Sequence, residues 1–213
     1  MHWLTDRFPA MKTRRSVHFS VDDTIWLFEN LEHFQYESAF QQPTLRFFRE
    51  LHELYGAVVS FYCFGEFQGL SLCAMTDAYR QEFEENNCWL RFGFHGGDDV
   101  VRYDDCGGRR AGGDYRAVVS QLQRIVGERS IDHNVRIHCY AGGKEELSAM
   151  RACGLRGVLC GEGGQENYCL MEGESRTVAK AGIYVHPETG LLFSATDLRI
   201  EKTRDVRAQS NHC

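Results

Sequence analysis

Short apolar runs recur along the first three quarters of the chain, and each has the length of a β-strand. They are rich in Val, Phe, Tyr and other residues that favour extended structure. Each run is followed by a Gly, an Asp or another polar position that ends the pattern. The sequence therefore predicts strands at residues 16–21, 57–65, 89–95, 135–141 and 155–160.

Amphipathic helical patterns lie between these runs. The clearest begins at Pro43, a favoured first-turn residue, carries Leu45 and Phe48 on one face and stops at Gly56. A strand, a helix and a further strand in repetition indicate parallel strands joined by right-handed crossovers. Further helices are predicted at 114–127, from 144 to about 153 and around Met75, Tyr79 and Phe83.

Inside the strands, apolar and polar residues alternate, whereas strands buried on both faces are usually apolar throughout. In the first strand Val17, Phe19 and Val21 share one face, and His18, Ser20 and Asp22 share the other. This pattern favours an α/β fold with an incomplete or distorted (β/α) barrel of about seven strands. An open sheet is the alternative. The last two strands are expected at 183–186 and 191–196, joined by a turn at 186–190.

Length and charge narrow the class of protein. The 213 residues are enough for one domain, with 1–15 as an N-terminal arm and 203–213 as a C-terminal tail. The glycine-rich segment 106–113 is interpreted as a flexible loop near the mouth. A net charge of -6 argues against binding to nucleic acid or to an anionic membrane, and the short basic cluster Lys12, Arg14, Arg15 does not change this.

Nine cysteines are present, and none of them is paired as Cys-x-x-Cys. Cys63, Cys139 and Cys160 lie in strand-like runs and are interpreted as small buried apolar residues. No apolar run is long enough for a signal peptide or a membrane helix. We expect reduced thiols and a cytoplasmic protein.

Polar residues with useful chemistry cluster at the predicted strand ends. In parallel α/β folds, ligands bind outside the carboxyl ends of the strands, so residues at these positions should share one mouth. The candidates are Asp22 and Asp23 after the first strand, Glu66 after the second, His95, Asp98 and Asp99 after the third, His138 and Tyr140 in the fourth, Glu162 after the fifth, and Asp197 near the end.

Consecutive carboxylates can divide two tasks, because one can bind a metal while the other accepts a proton from water. Asp22 lies on the polar face of its strand, whereas Asp23 either serves the site or caps the following helix. His95 is interpreted as a ligand. His138 either packs against Tyr140 or serves the site, and His18 is expected to be a hydrogen-bonded core residue.

These segments resemble the motifs of the metal-dependent polysaccharide deacetylases. The run 19–23, Phe-Ser-Val-Asp-Asp, resembles the family's first motif, an apolar strand that closes in Thr-Phe-Asp-Asp. The run 92–95 falls where the family has a strand ending in His-x-x-x-His, and 136–142 is similar in placement to Arg-x-Pro-Tyr-Gly, without its Pro. The resemblance extends from about residue 16 to 160, and its first motif is the most specific.

The resemblance implies a distorted barrel and a divalent metal, with zinc first and manganese or cobalt as alternatives. Asp22 matches the general base, while Asp23 and His95 match metal ligands. Asp99 stands where the family has a second ligating His, and a carboxylate can replace it. His138, Tyr140, Glu66 and Asp197 are expected to contact the substrate. The family's late Leu-x-His motif has no clear counterpart, and its candidates are His186 and the segment 196–198.

The function that this implies is metal-dependent hydrolysis of an N-acyl carbohydrate or a small amide metabolite. The alternative is a catalytically silent protein that binds a carbohydrate or small ligand in the same mouth, with Tyr62 and Tyr140 as stacking surfaces. An interaction scaffold without a pocket explains neither the polar strand faces nor the clustered acids. The expected partner is a small molecule or carbohydrate, with no nucleic acid or membrane, and the oligomeric state stays open.

Overall fold

The computed structural model describes residues 17–161 and 168–197. The predicted arm at 1–15, the tail at 203–213 and the candidate Glu162 therefore lie outside the described residues. The strands of the described residues are β1 (His18–Val21), β2 (Val58–Phe64), β3 (Glu66–Phe67), β4 (Leu70–Ser71), β5 (Leu90–Gly96), β6 (Ile131–Asp132), β7 (Asn134–Val135), β8 (Gly157–Leu159), β9 (Ile183–Val185) and β10 (Leu192–Ser194).

Six α-helices alternate with these strands in the described residues, and short 3-10 turns complete the connections. The α-helices are α1 (Ile25–Phe34), α2 (Pro43–Tyr55), α3 (Arg80–Glu85), α4 (Gly108–Val126), α5 (Lys144–Ala152) and α6 (Glu172–Ala181). Among the described helices, none combines the length and the apolar character that a membrane crossing needs.

Two four-stranded sheets carry the fold. The first has the order β1-β2-β5-β6 with every pair parallel. The second has the order β7-β8-β10-β9, in which only the β9–β10 hairpin is antiparallel. Strands β6 and β7 are neighbours in sequence and belong to different sheets, so the chain passes from one sheet to the other at residues 131–135. The predicted class, α/β with parallel strands, is confirmed.

The predicted alternation in the strands separates an aromatic face from a polar one. On the aromatic face, Phe61 of β2 and Phe92 of β5 stack with ring centroids 5.7 Å apart. Phe48 of α2 meets Phe61 edge-on at 5.4 Å, and Phe28 of α1 lies 5.4 Å from Phe92. These buried rings attach the helices to the first sheet, since aromatic pairs stabilise beyond their buried area.

The polar face of the same strands is joined by side-chain hydrogen bonds. Ser60 donates to Asp132 at 2.6 Å and bonds His18 at 2.9 Å, while Tyr62 donates to Asp132 at 3.3 Å. His18 thus has the hydrogen bond expected of it, but it is exposed and not a core residue. Satisfied polar groups of this kind fix the strands relative to one another.

Two of the secondary-structure predictions from the sequence were wrong. Residues 135–141 do not form one strand, because β7 ends at Val135 and the chain turns through Cys139 and Tyr140, whose φ angles are 55° and 54°. Segment 106–113 is not a loop, because α4 begins at Gly108. A Cβ on Gly112 would lie 3.3 Å from the Ala149 carbonyl oxygen in α5, so glycine permits a close helix contact.

Cysteine reactivity follows from this packing. All eight described cysteines are free; Cys63 and Cys160 are buried, whereas Cys139 is exposed because its segment turns, contrary to the buried position expected for it. Burial raises the pKa of the Cys63 and Cys160 thiols to about 12, so little reactive thiolate forms at pH 8.

We expect a thiol reagent to modify Cys139 in the native protein quickly and Cys63 and Cys160 only after denaturation. Mass spectrometry of peptides from native and denatured samples measures this. In the denatured, non-reduced sample all nine thiols of the chain should react. A deficit of two or more would mean that disulfides form and that the expectation of a cytoplasmic protein with reduced thiols is wrong.

Candidate metal centre

The candidate site lies where strands of both sheets end. Asp22 and Asp23 follow β1, and His95 is the last residue but one of β5. His138 comes three residues after β7, in the turn that contains Cys139. Parallel pairing brings the ends of β1 and β5 to one edge of the first sheet, with β2 between them. The crossing to the second sheet adds His138 to the same edge.

Three side chains present metal-binding atoms to one another at this edge. One ligand atom each from Asp23, His95 and His138 lies within 4.8 Å of the other two. His95 Nε2 is 3.3 Å from Asp23 Oδ1 and 3.3 Å from His138 Nδ1. We call these three residues the Asp-His-His group. His95 is 3% exposed, whereas the Asp23 side chain is 53% exposed, so the group opens to solvent on one side.

The backbone determines which nitrogen of His95 is available. His95 Nδ1 lies 2.6 Å from the carbonyl oxygen of Arg136, and this contact requires Nδ1 to donate its hydrogen. In the neutral ring, Nε2 then holds a lone pair directed at Asp23 and His138. Metal-binding histidines are typically oriented in this way through their other nitrogen.

The charges around the group support ligand binding. Burial lowers the pKa of His138, and the neighbouring His95 lowers it further. The negative charges of Asp23, Asp99 and Asp22 raise this pKa, but their effect is smaller. His138 is thus neutral at pH 7, the form that binds metals. When His95 also carries a proton on Nε2, the hydrogen bond that it donates lowers the pKa of Asp23, so Asp23 remains a carboxylate. The His138 imidazole and the Asp23 carboxylate therefore both face His95 Nε2.

Asp23 does not cap helix α1, which was the alternative interpretation of this residue. The N-cap residue is Thr24, whose hydroxyl donates to the Tyr62 carbonyl oxygen at 3.0 Å. Asp23 itself has a φ of 57°, a left-handed conformation that is uncommon outside glycine. Such backbone conformations concentrate at functional sites, because the surrounding structure must maintain them.

Phe64 forms a wall beside both imidazoles. Its ring meets His95 edge-on at 4.8 Å and His138 at 5.1 Å, and it stacks on Phe67 at 5.1 Å. The strand pairing shifts between Cys63 and Phe64, and a Cβ on Gly96 would lie 2.8 Å from the Phe64 ring. The bulge and the glycine together allow the ring to occupy this position.

Because Phe64 contacts both imidazoles, Phe64→Leu should weaken zinc binding by about tenfold or more while the protein stays folded, as loss of groups that orient ligands does elsewhere. A competition titration with a chromophoric chelator measures the affinity. Phe47→Leu, at an exposed ring on α2, is the matched control and should bind zinc like the parent. Equal affinities for both variants would mean that Phe64 does not orient the group.

Asp22 lies beside the group and pairs with a buried arginine. Arg136 donates to Asp22 Oδ2 at 3.3 Å and to the Thr196 hydroxyl at 3.0 Å. Burial acts against the charged guanidinium, but the Asp22 carboxylate raises the pKa of Arg136 above its usual value. Asp22 Oδ1 is buried and has no hydrogen-bond partner among the described residues. It is thus an unused acceptor on the residue that directly precedes Asp23 of the Asp-His-His group.

The other predicted site residues are distributed around this edge. Asp99 is exposed and outside the Asp-His-His group, although its charge acts on His138. Glu66 lies on the β3–β4 hairpin and lines a separate cavity of about 240 Å³ with Asp98 and Arg110. Tyr140 packs near Tyr168, with ring centroids 6.3 Å apart, and Asp197 is exposed after β10.

His186, one candidate for the missing general acid, is buried in the β9–β10 hairpin. Its Nδ1 accepts the Thr189 backbone N–H at 3.1 Å, and Nε2 lies 3.7 Å from Glu174. The residue thus has a structural role in the turn. Of the other candidate segment, 196–198, residue 198 lies outside the described part of the chain, and Thr196 bonds Arg136.

Sequence reasoning did not identify Arg136 or Phe64 as part of the site. Arg136 falls in the run expected to be a strand, on the same polar face as His138 and Tyr140, and this position was a usable signal. Nothing in the sequence indicated that Phe64 belongs to the site, because the direction of its side chain depends on the irregular strand pairing between Cys63 and Phe64. Comparisons with protein-family models, with curated proteins and with solved structures found no match to this chain.

Proposed function

We propose that this protein is a metal-dependent hydrolase of the deacetylase type, acting on an N-acyl carbohydrate or a small amide metabolite. The observation that carries the proposal is the Asp-His-His group with an unpartnered carboxylate oxygen of Asp22 beside it. A cation ligand set and a neighbouring proton acceptor are the two parts that amide hydrolysis at neutral pH requires.

The donor set fits zinc. Two imidazole nitrogens and one carboxylate oxygen are common zinc ligands, and three protein ligands leave a position for water or substrate. Manganese and cobalt accept the same donors with lower preference. His138 is the third ligand in this proposal. Asp99 is proposed to contact the attacking water or the substrate instead.

The residues around the group have separate roles. A divalent cation bound there supplies Lewis acidity toward an amide carbonyl and toward water. Asp22 Oδ1 accepts the proton of the attacking water. Arg136 binds Asp22 Oδ2, which leaves Oδ1 as the oxygen that can receive the proton. Tyr140 and Asp197 are proposed to contact the substrate, whereas Glu66 lines the separate cavity.

The proposed architecture is a distorted (β/α) barrel of about seven strands. Support comes from Arg136, which connects Asp22 after β1 in the first sheet with Thr196 after β10 in the second sheet. Ser60 of β2 also bonds Asp132 of β6 across the intervening β5, on one polar face of the first sheet, and a polar face of this kind would line the interior of the barrel.

The likeness to polysaccharide deacetylases supports the same proposal. In that family the first motif supplies a base and a metal ligand in sequence, and here Asp22 and Asp23 take those positions with His95 close to Asp23. The proposed departure is His138 in place of the second histidine of His-x-x-x-His. A cytoplasmic location would favour a small substrate over a cell-wall polymer.

The test combines metal content with activity. Protein purified without chelator is analysed for metals, titrated with zinc, manganese and cobalt, and then assayed for acetate release from small N-acetyl sugars and N-acetyl amines. We expect one bound cation and acetate release that a chelator abolishes. Metal binding without turnover across the panel would favour the alternative, a silent binding protein, for which the structural role of His186 is the supporting observation.

A further inference from the structure

A second cavity, of about 510 Å³, lies at the opposite edge of the second sheet. It is bounded by the end of α5, by the loop that enters β8 at Gly157 and by the turn between β9 and β10. Strands β8 and β10 are parallel and both begin here. The cavity is therefore at the amino ends of these strands, whereas the Asp-His-His group lies at the carboxyl ends. We call it the cationic cavity.

Two arginines give the cavity its charge. Arg151 and Arg156 line it, and within 17–161 and 168–197 neither guanidinium has an ion-pair or hydrogen-bond partner. The carboxylate in the lining, Glu188, is bound to Lys144 Nζ at 2.7 Å. The two positive charges are thus uncompensated locally, in a protein whose net charge is -6.

The helix end beside the arginines does not neutralise them. Carbonyl groups at a helix C-terminus usually attract cations. Here the Met150 carbonyl accepts the N–H groups of Cys153 and Leu155, at 2.9 and 3.1 Å, and the Arg151 carbonyl accepts that of Gly154 at 3.0 Å. Backbone N–H groups engage these carbonyls, and among the described residues neither guanidinium bonds to them, so the guanidinium N–H groups remain available to a ligand.

The cavity wall is also arranged in advance. The Arg151 guanidinium lies over the turn glycine, since a Cβ on Gly190 would be 3.0 Å from Arg151 Cζ. The buried Thr189 hydroxyl accepts the Leu191 N–H at 3.4 Å and keeps its own hydrogen to donate. The Arg151 guanidinium and the Thr189 hydroxyl therefore both present hydrogen-bond donors at this wall.

We propose that the cationic cavity binds a phosphate-bearing small molecule, with Arg151 and Arg156 contacting the phosphate group. The planar fork of arginine matches phosphate oxygens in pairs, which gives strong, charge-assisted hydrogen bonds. The volume is in the range of small-molecule sites. This site does not depend on the proposed hydrolase function, and a compact dianion fits it better than a long polyanion because the surrounding protein is acidic.

In the test, the full chain is titrated with inorganic phosphate or with pyrophosphate at constant ionic strength. Calorimetry measures the binding affinity. We expect saturable binding at millimolar concentration, weakened about tenfold or more in Arg151→Gln/Arg156→Gln. The control Arg46→Gln/Arg80→Gln removes the same charge from exposed positions on α2 and α3 and should bind like the parent. Arg151→Lys/Arg156→Lys should show an intermediate loss, because it keeps the charge without the fork.

Three results would overturn the proposal. They are no saturable binding by the parent protein, unchanged affinity in Arg151→Gln/Arg156→Gln, and an equal loss in the control double variant, which would show attraction by net charge alone. Circular dichroism confirms that the variants are folded, and the substituted arginines are exposed. Zinc binding measured on the same variants should be unchanged, so the outcome is independent of the metal centre.

Discussion

His95→Ala is expected to abolish zinc binding at micromolar concentration. His95 Nε2 is central to the Asp-His-His group, and its hydrogen bond to the Arg136 carbonyl fixes the direction of its lone pair. Removing one of the three proposed ligands would leave an incomplete shell. Asp23→Ala and His138→Ala should have the same effect, which a zinc titration with a competing chelator measures.

The matched control is His33→Ala, which removes an imidazole from the exposed end of α1. It should bind zinc like the parent protein. Asp99→Ala decides between the two candidates for third ligand: the structure predicts near-parental affinity for this variant. Loss of zinc in Asp99→Ala with retention in His138→Ala would reverse that assignment.

Asp22→Asn is expected to lower turnover by about a hundredfold or more while zinc stays bound. The amide keeps the size of the carboxylate and an oxygen that accepts from Arg136, but it cannot take a proton from water. Acetate release and zinc content are measured on the same preparation. The division of roles predicts that Asp22→Asn separates activity from metal occupancy, whereas His95→Ala removes both.

Asp105→Asn, at an exposed acidic position, controls for the loss of one negative charge. Thermal melting of each variant shows whether breaking the Asp22–Arg136 pair affects the fold, because a buried arginine without its partner is destabilising. If Asp22→Asn loses zinc as readily as His95→Ala, then Asp22 is a ligand and the proposed base is wrong.

Much of the site could be predicted from residue alternation. Asp22 and His95 fall on the polar faces of their strands, and parallel pairing brings the ends of β1 and β5 to one edge. Asp23 follows Asp22 directly, but its contact with His95 also needs a left-handed backbone, with a φ of 57°, that strand parity does not indicate. Strand parity therefore placed Asp22 and His95 correctly, because their positions depend only on the two-residue repeat of a strand.

The third member of the group could not be predicted in this way. His138 reaches the site because Cys139 and Tyr140 adopt positive φ, and residues of these types give no local signal for such a turn. The run was apolar enough to indicate a strand, so tertiary contacts overrode its propensity. Asp99 was chosen by spacing in a resembling family, and spacing cannot report a ligand contributed by another part of the chain.

The central claim is that Asp23, His95 and His138 hold one divalent cation. The most direct measurement is a crystal structure of the zinc-loaded protein with anomalous data collected on both sides of the zinc edge. We expect one strong anomalous peak at about 2 Å from His95 Nε2, His138 Nδ1 and an Asp23 carboxylate oxygen. A peak at the cysteines instead, or no peak beside His95 in a crystal grown with excess zinc, would contradict it.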